Sequence, residues 1–515
     1  MLENKIKTIE ELASLIAQEK EKGKKIALCH GCFDLLHIGH IKHFAAAKKM
    51  ADILVVSITP DRFINKGPGR PVFPEQLRLE ALANLTAVDY VCLNDCPDAV
   101  SLIKKVKPNF YVKGQEYKDL SQGGMRIKEK EAVEEIGGQF VCTQELTFSS
   151  SNLINNNFNH LSFQASSFVK KIREKYSIKD LEDILEKISS LKVLVIGDPI
   201  IDEYDYCRAV GTTTKFPAVS TVFQGEIKMA GASLAIARHI GEFAKNVDCI
   251  SVVGGKDQEK DFIEKELLGV NTFLVKVPGR YTTVKRRFVS GNYPTSLDFR
   301  ESPSNDYKLF EIAFMDDSLI DNNSEKELLN LIEKRIQEND LVILADFGHG
   351  MITPQIAQLV SQKAKWWAVN AQTNSTNYGF NLITKYKKPN FVCLDEREAR
   401  LPFGDRYSRK EEVAKKLSQE LDCQDLMVSM GKDGLMLKKL DEFYYAPALV
   451  QKTVDTVGAG DAVFSMASLC SYLKLDPELS VFLGAVMGGL ATQIIGNLEP
   501  VRKKKFIKFI KGTLS

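Results

Sequence analysis

The chain has 515 residues, too many for one hydrophobic core, so two or three domains are expected. Hydrophobic residues make up 44% of it and charged residues 26%, a composition typical of an ordinary soluble globular protein. The net charge of only +2, with both signs interspersed, argues against a dedicated nucleic-acid surface.

The apolar runs and the cysteines favour a cytoplasmic protein without a membrane span. No apolar core follows the first residues, so no signal peptide is visible. The longest apolar stretch, Val481 to Ile495, is rich in glycine and shorter than the roughly 18 residues of a membrane helix, which predicts a buried helix. The ten cysteines are scattered, which predicts free thiols in a reducing cytosol. Cys29 and Cys32 are spaced as C-x-x-C, but no second pair stands at zinc-ligand spacing.

Residues 24 to 58 read as a strand, a loop, a helix and a second strand. A buried strand over Lys24 to Leu28 enters the loop, helical periodicity runs from Ile41 to Met50, and a second apolar run spans Ile53 to Ile58. Strands that alternate with helices build a parallel sheet of α/β type. The loop between them reads Cys29-His30-Gly31-Cys32-Phe33-Asp34-Leu35-Leu36-His37-Ile38-Gly39-His40.

Two histidines spaced by Ile-Gly mark the start of the helix after this loop. Gly39 permits close backbone approach, and the imidazoles of His37 and His40 can donate hydrogen bonds to the oxygens of a phosphate under attack. A lone histidine pair is more often structural, but Gly31 and Phe33-Asp34 precede this one, between a strand and a helix. The segment resembles the nucleotidyltransferase superfamily of the cytidylyltransferases, whose signature is the H-x-G-H motif.

Later segments continue this resemblance in the expected order. Lys66 to Val72 is a basic, glycine-rich loop that either closes over phosphates or is a mobile surface loop. Pro108 to Gly114 reads as a strand that delivers Lys113 to the carboxyl edge of the sheet, where ligands bind in open α/β sheets. Three hydroxyls precede a short helical run and either cap it or hold phosphates: Ser149, Ser150 and Ser151.

The resemblance implies a Rossmann-like domain that transfers a nucleotidyl group from ATP or CTP. It implies catalytic roles for His37, His40 and Lys113, and a substrate contact from Asp34. The nucleotide and phosphate contacts would be Cys32, Phe33, Gly39, Lys66, Arg70, Ser149, Ser150 and Ser151. The segment is most similar to the nucleotidyltransferase half of the bifunctional heptose enzymes, although Gln115-Glu116-Tyr117 stands where they have Gly-Asp-Tyr.

A polar stretch separates this domain from the rest of the chain. Asn155 to His160 is low in complexity, and Ser177 to Leu191 looks like a charged amphipathic helix. We therefore predict a nucleotidyltransferase domain over residues 1–155, a linker with a docking helix over 156–190, and a second enzyme domain over 191–515.

The second domain opens with a strand over Lys192 to Ile196 and carries its chemistry near the C-terminus. The string Asp455-Thr456-Val457-Gly458-Ala459-Gly460-Asp461 reads as a tight glycine turn that enters a helix. Small residues let backbone N–H groups point at a phosphate, and the helix N-terminus adds a partial positive charge. Asp461, in the first helical turn, can accept a proton from a substrate hydroxyl.

This string resembles the anion-hole and catalytic-base signature of the ribokinase/PfkB family of sugar kinases. The resemblance implies a ribokinase-like α/β domain in which Asp461 is the base and a small β-lid covers the sugar. The anion hole would be Gly458, Ala459 and Gly460, and nucleotide contacts would come from Thr456, Gly431 and Gly434. The sugar contacts would be Asp202 and Gly231, and Glu398 would hold Mg²⁺ indirectly through water. The lid strands are expected at Pro217 to Phe223, Thr282 to Val289 and Ser296 to Arg300.

Several positions depart from the family pattern. Leu234 stands where the family has a sugar-binding asparagine, and a leucine cannot hydrogen-bond a hydroxyl. Asn370-Ala371-Gln372 replaces Asp-Pro-Lys after a central strand, which removes both charges. Asp395 replaces the usual asparagine three residues before Glu398, which keeps an oxygen ligand and adds charge.

The two resemblances together predict a bifunctional enzyme with the domain order of the heptose enzymes reversed. It would phosphorylate a sugar or sugar phosphate with ATP and Mg²⁺, then join a sugar phosphate to a nucleotide for surface polysaccharide. Its partners would be these small molecules, with neither nucleic acid nor membrane, and a homodimer through the lid is a family-level expectation. Two alternatives stay open: a CTP-dependent domain acting on a polyol or sugar-acid phosphate, and a kinase-like domain that only senses sugar.

Overall fold

The computed structural model describes residues 5–64, 71–114, 124–143, 161–256, 259–290, 307–374, 377–450 and 453–514. Five predicted site residues lie outside these ranges: Lys66, Arg70, Ser149, Ser150 and Ser151. Packing divides the chain into two compact units, Met1–His160 with Ser515, and Leu161–Leu514. None of the ten cysteines forms a disulfide bond in the described ranges, as predicted. Within the described ranges, no helix has both the length and the apolarity needed to cross a membrane.

The first unit is built on a parallel sheet of five strands. The strands are β1 (Ile26–Gly31), β2 (Ile53–Ile58), β3 (Tyr90–Leu93), β4 (Phe110–Lys113) and β5 (Gln139–Cys142). The helices are α1 (Ile9–Glu21), α2 (Ile38–Lys49), α3 (Glu75–Ala83), α4 (Val100–Val106) and α5 (Gly124–Glu135). The strand–loop–helix–strand prediction for residues 24 to 58 is therefore confirmed, with the second strand at the predicted bounds.

The strand order β3-β2-β1-β4-β5 determines where this unit can bind a ligand. Ile26 and Leu28 of β1 pack into one apolar core and Ala27 and Cys29 into another, because successive side chains of a strand face opposite sides. Both faces are covered, which explains the continuous apolar run. The order reverses between β1 and β4, and the crevice at their carboxyl ends is the usual ligand site of such sheets.

The second unit contains a nine-stranded sheet of order β10-β9-β6-β13-β14-β15-β16-β17-β18. Pairing is parallel from β10 to β16 and antiparallel across the last two pairs. The strands are β6 (Lys192–Gly197), β9 (Asn246–Gly254), β10 (Asn271–Val277), β13 (Leu341–Asp346), β14 (Trp367–Ala371), β15 (Phe391–Asp395), β16 (Asp425–Ser429), β17 (Leu435–Lys439) and β18 (Glu442–Ala446). The helices are α6 (Phe163–Lys175), α7 (Ile178–Ser189), α8 (Ser233–Gly241), α9 (Lys260–Glu266), α10 (Asn322–Ile336), α11 (Pro354–Lys363), α12 (Glu396–Arg400), α13 (Lys410–Leu421), α14 (Ala459–Tyr472), α15 (Pro477–Ala491) and α16 (Lys503–Leu514).

A separate four-stranded sheet forms the lid, with strand order β12-β11-β7-β8. Its strands are β7 (Pro199–Thr212), β8 (Val219–Ala232), β11 (Val284–Ser290) and β12 (Tyr307–Phe314). Two of the three predicted lid segments fall on β8 and β11, whereas Ser296 to Arg300 lies outside the described residues. The prediction missed β7 and β12. β7 was missed because its first residues were interpreted only through the sugar contact implied for Asp202.

The regions flanking the second domain differ from their predictions in two respects. The predicted linker contains α7, close to the expected Ser177 to Leu191, and also α6, and both helices bury apolar residues in the main core of the second unit. The buried helix predicted from the apolar run Val481 to Ile495 differs at both ends from the helix observed, Pro477–Ala491. The apolar helix α15 is buried and ends at Ala491, and α16 follows it after a loop. Its first turn carries the basic run after Arg502.

Candidate active sites

In the first unit, the carboxyl ends of β1 and β4 bring Lys113 beside the histidine-bearing loop. The Lys113 Nζ atom donates to the His30 carbonyl oxygen at 3.1 Å and lies 3.2 Å from a carboxylate oxygen of Glu129. Both side chains of this ion pair are only 7% exposed. Sequence reasoning missed Glu129, because an acidic residue in an amphipathic helix is ordinarily a surface residue. Here it fixes the lysine ammonium at the edge of the sheet.

The first turn of α2 orients the two predicted catalytic histidines. His37 is the N-cap residue, and its Nδ1 atom accepts a hydrogen bond from the Gly39 N–H at 3.1 Å. With Nδ1 assigned as an acceptor, the neutral ring carries its proton on Nε2, which can donate to a phosphate oxygen. The rings of His37 and His40 stack with centroids 3.9 Å apart. Phe33, at a φ of +45°, packs edge-on against His40 with ring centroids 5.4 Å apart.

Asp34 and Cys32 hold the loop through backbone contacts. The buried Asp34 carboxylate accepts hydrogen bonds from the N–H groups of Val72 at 2.6 Å and Phe73 at 3.1 Å. The fully buried Arg78 donates to the Cys32 carbonyl at 2.5 Å. The Asp34 carboxylate thus fixes the backbone at Val72 and Phe73. A contact between Asp34 and substrate therefore stays a prediction.

The second unit contains a cavity of about 260 Å³ between the lid sheet and the start of α14. It brings together five of the predicted residues: Asp202, Thr456, Gly458, Gly460 and Asp461. It also contains four polar residues to which sequence reasoning assigned no role: Lys285, Arg287, Gln372 and Asn497. Its remaining lining residues are Ile200, Ala232, Phe347 and Val457.

Asp461 is buried in the first turn of α14, where its protonation is strongly perturbed. Burial, followed by the negative charge of Asp202, raises the pKa of Asp461 to about 8. The side-chain amide of Gln372 donates to Asp461 Oδ1 at 3.0 Å and acts in the opposite direction, lowering the pKa. A carboxylate with a pKa near the working pH is suited to general base catalysis.

Asp202 is held by two partners at the other side of the cavity. Its Oδ1 atom accepts from Arg287 Nη1 at 2.5 Å, and its Oδ2 atom accepts from Asn497 Nδ2 at 3.1 Å. Gly231 lies against the same carboxylate, and a Cβ atom there would come within 2.3 Å of Asp202 Oδ2. Gly231 thus permits the carboxylate to sit on the lid strand, and the structure shows this steric role for it.

The glycine turn needs its glycine for both conformation and space. Gly458 is the N-cap residue of α14 with a φ of +81°, and a Cβ atom there would lie 2.0 Å from the Asn497 Oδ1 atom. No side chain among the described residues caps this helix end. The first N–H groups of a helix lack intrahelical acceptors and attract anions. Ala459 and Gly460 are the first two residues of α14, and their small size leaves its N-terminal backbone open to a ligand.

Glu398 lies behind the base and makes backbone contacts through both oxygens. It accepts from the Thr373 N–H and from the Asp395 N–H, each at 3.0 Å. Burial raises its pKa to about 7. Each carboxylate oxygen keeps one lone pair, which can accept a hydrogen bond from a water of hydrated Mg²⁺.

The remaining predicted positions lie outside the lining of the cavity. Gly431 and Gly434 form the turn after β16, with φ of +56° and +90°, and a Cβ at Gly434 would lie 2.0 Å from the Ala446 carbonyl. Leu234 is fully buried in the main core, so its side chain belongs to the packing of α8. Asn370 donates to the Cys393 carbonyl at 2.7 Å and bridges two strands of the sheet.

Comparison with known proteins finds a family match for each of the two domains. Residues 28–157 match the family described as cytidylyltransferase-like, and residues 190–504 match the pfkB family of carbohydrate kinases. The chain is 38% identical over 338 residues to the bifunctional protein HldE of a Nitratiruptor species, spanning 62% of this chain and 68% of that relative. It is 38% identical over 139 residues to the HldE of Trichlorobacter lovleyi, spanning 27% of each.

One solved structure is similar to part of the chain at low sequence identity. The tetrameric inhibited form of phosphofructokinase-2 from Escherichia coli is 13% identical, covering 63% of this chain and 99% of that one with a TM-score of 0.49. The pfkB match spans more than half of the chain, and the cytidylyltransferase-like match precedes it. The protein therefore belongs to the pfkB family of carbohydrate kinases and carries a cytidylyltransferase-like domain ahead of its kinase domain.

Proposed function

We propose that the protein is a bifunctional enzyme that makes a nucleotide-activated sugar. Its kinase domain phosphorylates a hydroxyl of a sugar or sugar phosphate with ATP, and its first domain joins a sugar phosphate to an NTP and releases pyrophosphate. The observation that carries the proposal is Asp461, a buried carboxylate at the uncapped start of α14, which faces Asp202 across the cavity. The family membership of both domains supports it.

In the kinase reaction, Asp461 accepts the proton of the attacking hydroxyl once it is ionised. The N–H groups at the start of α14 receive the charge of the transferred phosphoryl group. Lys285 and Arg287 add positive charge on the lid side of the cavity. Mg²⁺ bound with ATP would neutralise charge on its phosphates, and Glu398 would hold that ion through water. Asp202 would accept a hydrogen bond from a sugar hydroxyl once its hydrogen bond to Arg287 or to Asn497 is broken.

In the transferase reaction, a sugar phosphate attacks the α-phosphate of an NTP. His37 would donate from Nε2, and the His40 ring stacked against it would add a second imidazole where charge develops on the phosphate. Lys113 supplies positive charge from the carboxyl end of β4. Lys66 and Arg70 would add cations from the loop that precedes Val72. The nucleotide is ATP or CTP, and Mg²⁺ accompanies it.

Two candidates remain for the sugar that the kinase domain phosphorylates. The relatives named HldE favour a heptose-like sugar phosphate and a product used in surface polysaccharide. Gln372 favours a second candidate, because it places a neutral amide against the base where the family pattern has a lysine. That candidate is a kinase of different sugar specificity joined to a CTP-dependent transferase that acts on a polyol or sugar-acid phosphate.

The proposal includes a homodimer formed through the lid, as in the family. Several apolar side chains on the lid strands are exposed in the single chain: Val219, Val222, Phe223, Phe310 and Ile312. Exposed apolar surface of this kind marks protein–protein contact sites. Sedimentation analysis of the protein, with and without Phe223→Ser, tests this assembly.

The two activities are tested by ³¹P NMR with Mg²⁺ and with ATP and CTP offered separately against a panel of sugars and sugar phosphates. A new sugar-phosphate signal from ATP that disappears in Asp461→Asn establishes the kinase. The exposed Asp441→Asn variant, a matched change on a surface turn, should keep the signal. A nucleotide-sugar signal that disappears in His40→Ala establishes the transferase and identifies its nucleotide. Transfer that survives Asp461→Asn unchanged refutes the assigned base, and no transfer at all favours the sugar-sensing alternative.

A further inference from the structure

Three carboxylates form a cluster on the face of the lid that points away from the cavity. Glu203 and Asp205 are two residues apart on β7, so they share one face, opposite to that of Asp202. Glu226 on β8 is the direct cross-strand partner of Asp205. One oxygen atom from each of these carboxylates lies within 4.8 Å of the others.

The cluster contains more negative charge than its surroundings compensate. Arg286 Nη2 lies 2.9 Å from Glu203 Oε1, and Arg286 Nε lies 3.8 Å from Asp205 Oδ2. Lys228, which pairs with Glu203 across the strands, forms its ion pair with Glu259 instead, at 3.3 Å. Three carboxylates therefore face one guanidinium among the described residues.

A second observation indicates a ligand at this position. Asp205 is 7% exposed, and its Oδ1 atom has no hydrogen-bond partner among the described residues. An ionised oxygen buried without a partner is costly, and native structures normally satisfy such atoms with a ligand, ion or water.

We propose that Glu203, Asp205 and Glu226 bind a hard divalent cation in the lid, at a site separate from the nucleotide. Carboxylate oxygens are the ligands that Mg²⁺, Mn²⁺ and Ca²⁺ prefer, and water completes their coordination. Glu226 is exposed and gives a hydrated ion access, whereas Glu203 and Asp205 supply the buried end of the site.

The cation stabilises the part of the lid that carries the sugar-binding carboxylate. It cross-links β7 to β8 next to Asp202, which occupies the neighbouring position on β7. Glu203 also pairs in register with Arg286 on β11, so three lid strands meet at the site. Binding of the ion should raise the melting temperature of the protein in the absence of nucleotide, because a ligand of the native state stabilises it by mass action.

The test is a Mn²⁺ titration of the full chain without nucleotide, in which EPR measures the free ion. The wild type should bind a Mn²⁺ ion that Ca²⁺ or Mg²⁺ displaces, and Glu226→Gln should weaken this binding by about tenfold or more. Glu226 is exposed, so this variant should fold normally. Glu264→Gln, at an exposed helix position, is the matched control and should bind like the wild type.

Two further variants make the assignment specific. Arg286→Met removes the competing guanidinium and should tighten Mn²⁺ binding, an effect opposite to that of general damage to the lid. Glu398→Gln removes the carboxylate proposed for the nucleotide's ion and should leave this binding intact. Binding that Glu226→Gln leaves unchanged, or that is lost in Glu398→Gln and kept in Glu226→Gln, would overturn the lid site.

Discussion

Replacing Gln372 with leucine should shift the pH dependence of the kinase reaction to higher pH. The Gln372 amide donates to Asp461 Oδ1 at 3.0 Å and stabilises the ionised carboxylate, in a cavity where burial and Asp202 favour the protonated form. Leucine has a similar volume and cannot donate. The variant therefore tests whether this hydrogen bond sets the fraction of Asp461 that is available as a base.

The size of the shift follows from the energy of that hydrogen bond. A hydrogen bond to a charged group contributes about 1.5–3 kcal/mol, and one pKa unit corresponds to about 1.4 kcal/mol. The pKa of Asp461, which is about 8 in the native protein, should therefore rise by about one to two units. At pH 7 the ionised fraction, and with it kcat/KM, should fall by about tenfold to a hundredfold. At pH 9.5 the deficit should narrow to about fourfold or less.

The assay is kcat/KM for ATP-dependent phosphorylation of the accepted sugar, measured from pH 6 to pH 9.5 for both proteins. Gln419→Leu, the same change at an exposed helix position, should retain the wild-type profile. A wild-type profile that is already flat from pH 6 upward would contradict the raised pKa. A Gln372→Leu profile that is reduced by the same factor at every pH would show that the residue only shapes the cavity.

Three other predictions concern the buried charges and the glycine turn. Asp461→Asn should stabilise the protein most above pH 8, which thermal melts at a series of pH values measure. Folding raises the pKa of Asp461, so wild-type stability falls as pH rises between 3.8 and about 8, by at most about 1.4 kcal/mol per pH unit. Gly458→Ala should cost at least about 2 kcal/mol in urea unfolding through its positive φ and steric overlap, whereas Gly460→Ala, with open space around it, should cost less. Glu129→Gln should cost about 3–5 kcal/mol by removing the carboxylate that neutralises the buried Lys113 ammonium, and Lys113→Met in the same protein should restore most of it.

The sequence predicted the local parts of both domains well because local patterns determine them. The β2 strand, the loop that carries His37 and His40, and the turn that carries Asp461 each follow from a short string of residues. Arg287 and Asn497 were missed because their position at Asp202 depends on strand pairing and on a loop almost 300 residues away. No periodicity in the sequence specifies such long-range contacts.

The departures from the family pattern acquire different meanings in the structure. Leu234 was expected to remove a sugar contact, but its side chain is part of the main core, so the substitution changes packing on α8. Asn370 bridges two strands through Cys393. Gln372 alone of these positions lies in the cavity, where it contacts the base. Substrate specificity is therefore better sought in Gln372 than in the other two.

Lys285 supplies the cavity with a positive charge that the family pattern would place at position 372, where this chain has Gln372. Lys285 on β11 is the in-register partner of Asp202 on β7, so parallel pairing places both side chains on the cavity side of the lid. The described residues provide no ion-pair partner for Lys285. Burial lowers the pKa of Lys285 while the nearby Asp202 raises it, and Lys285 in turn lowers the pKa of Asp461. Lys285 therefore puts a positive charge in the same cavity as the neutral Gln372, where it can face a phosphate of a bound substrate.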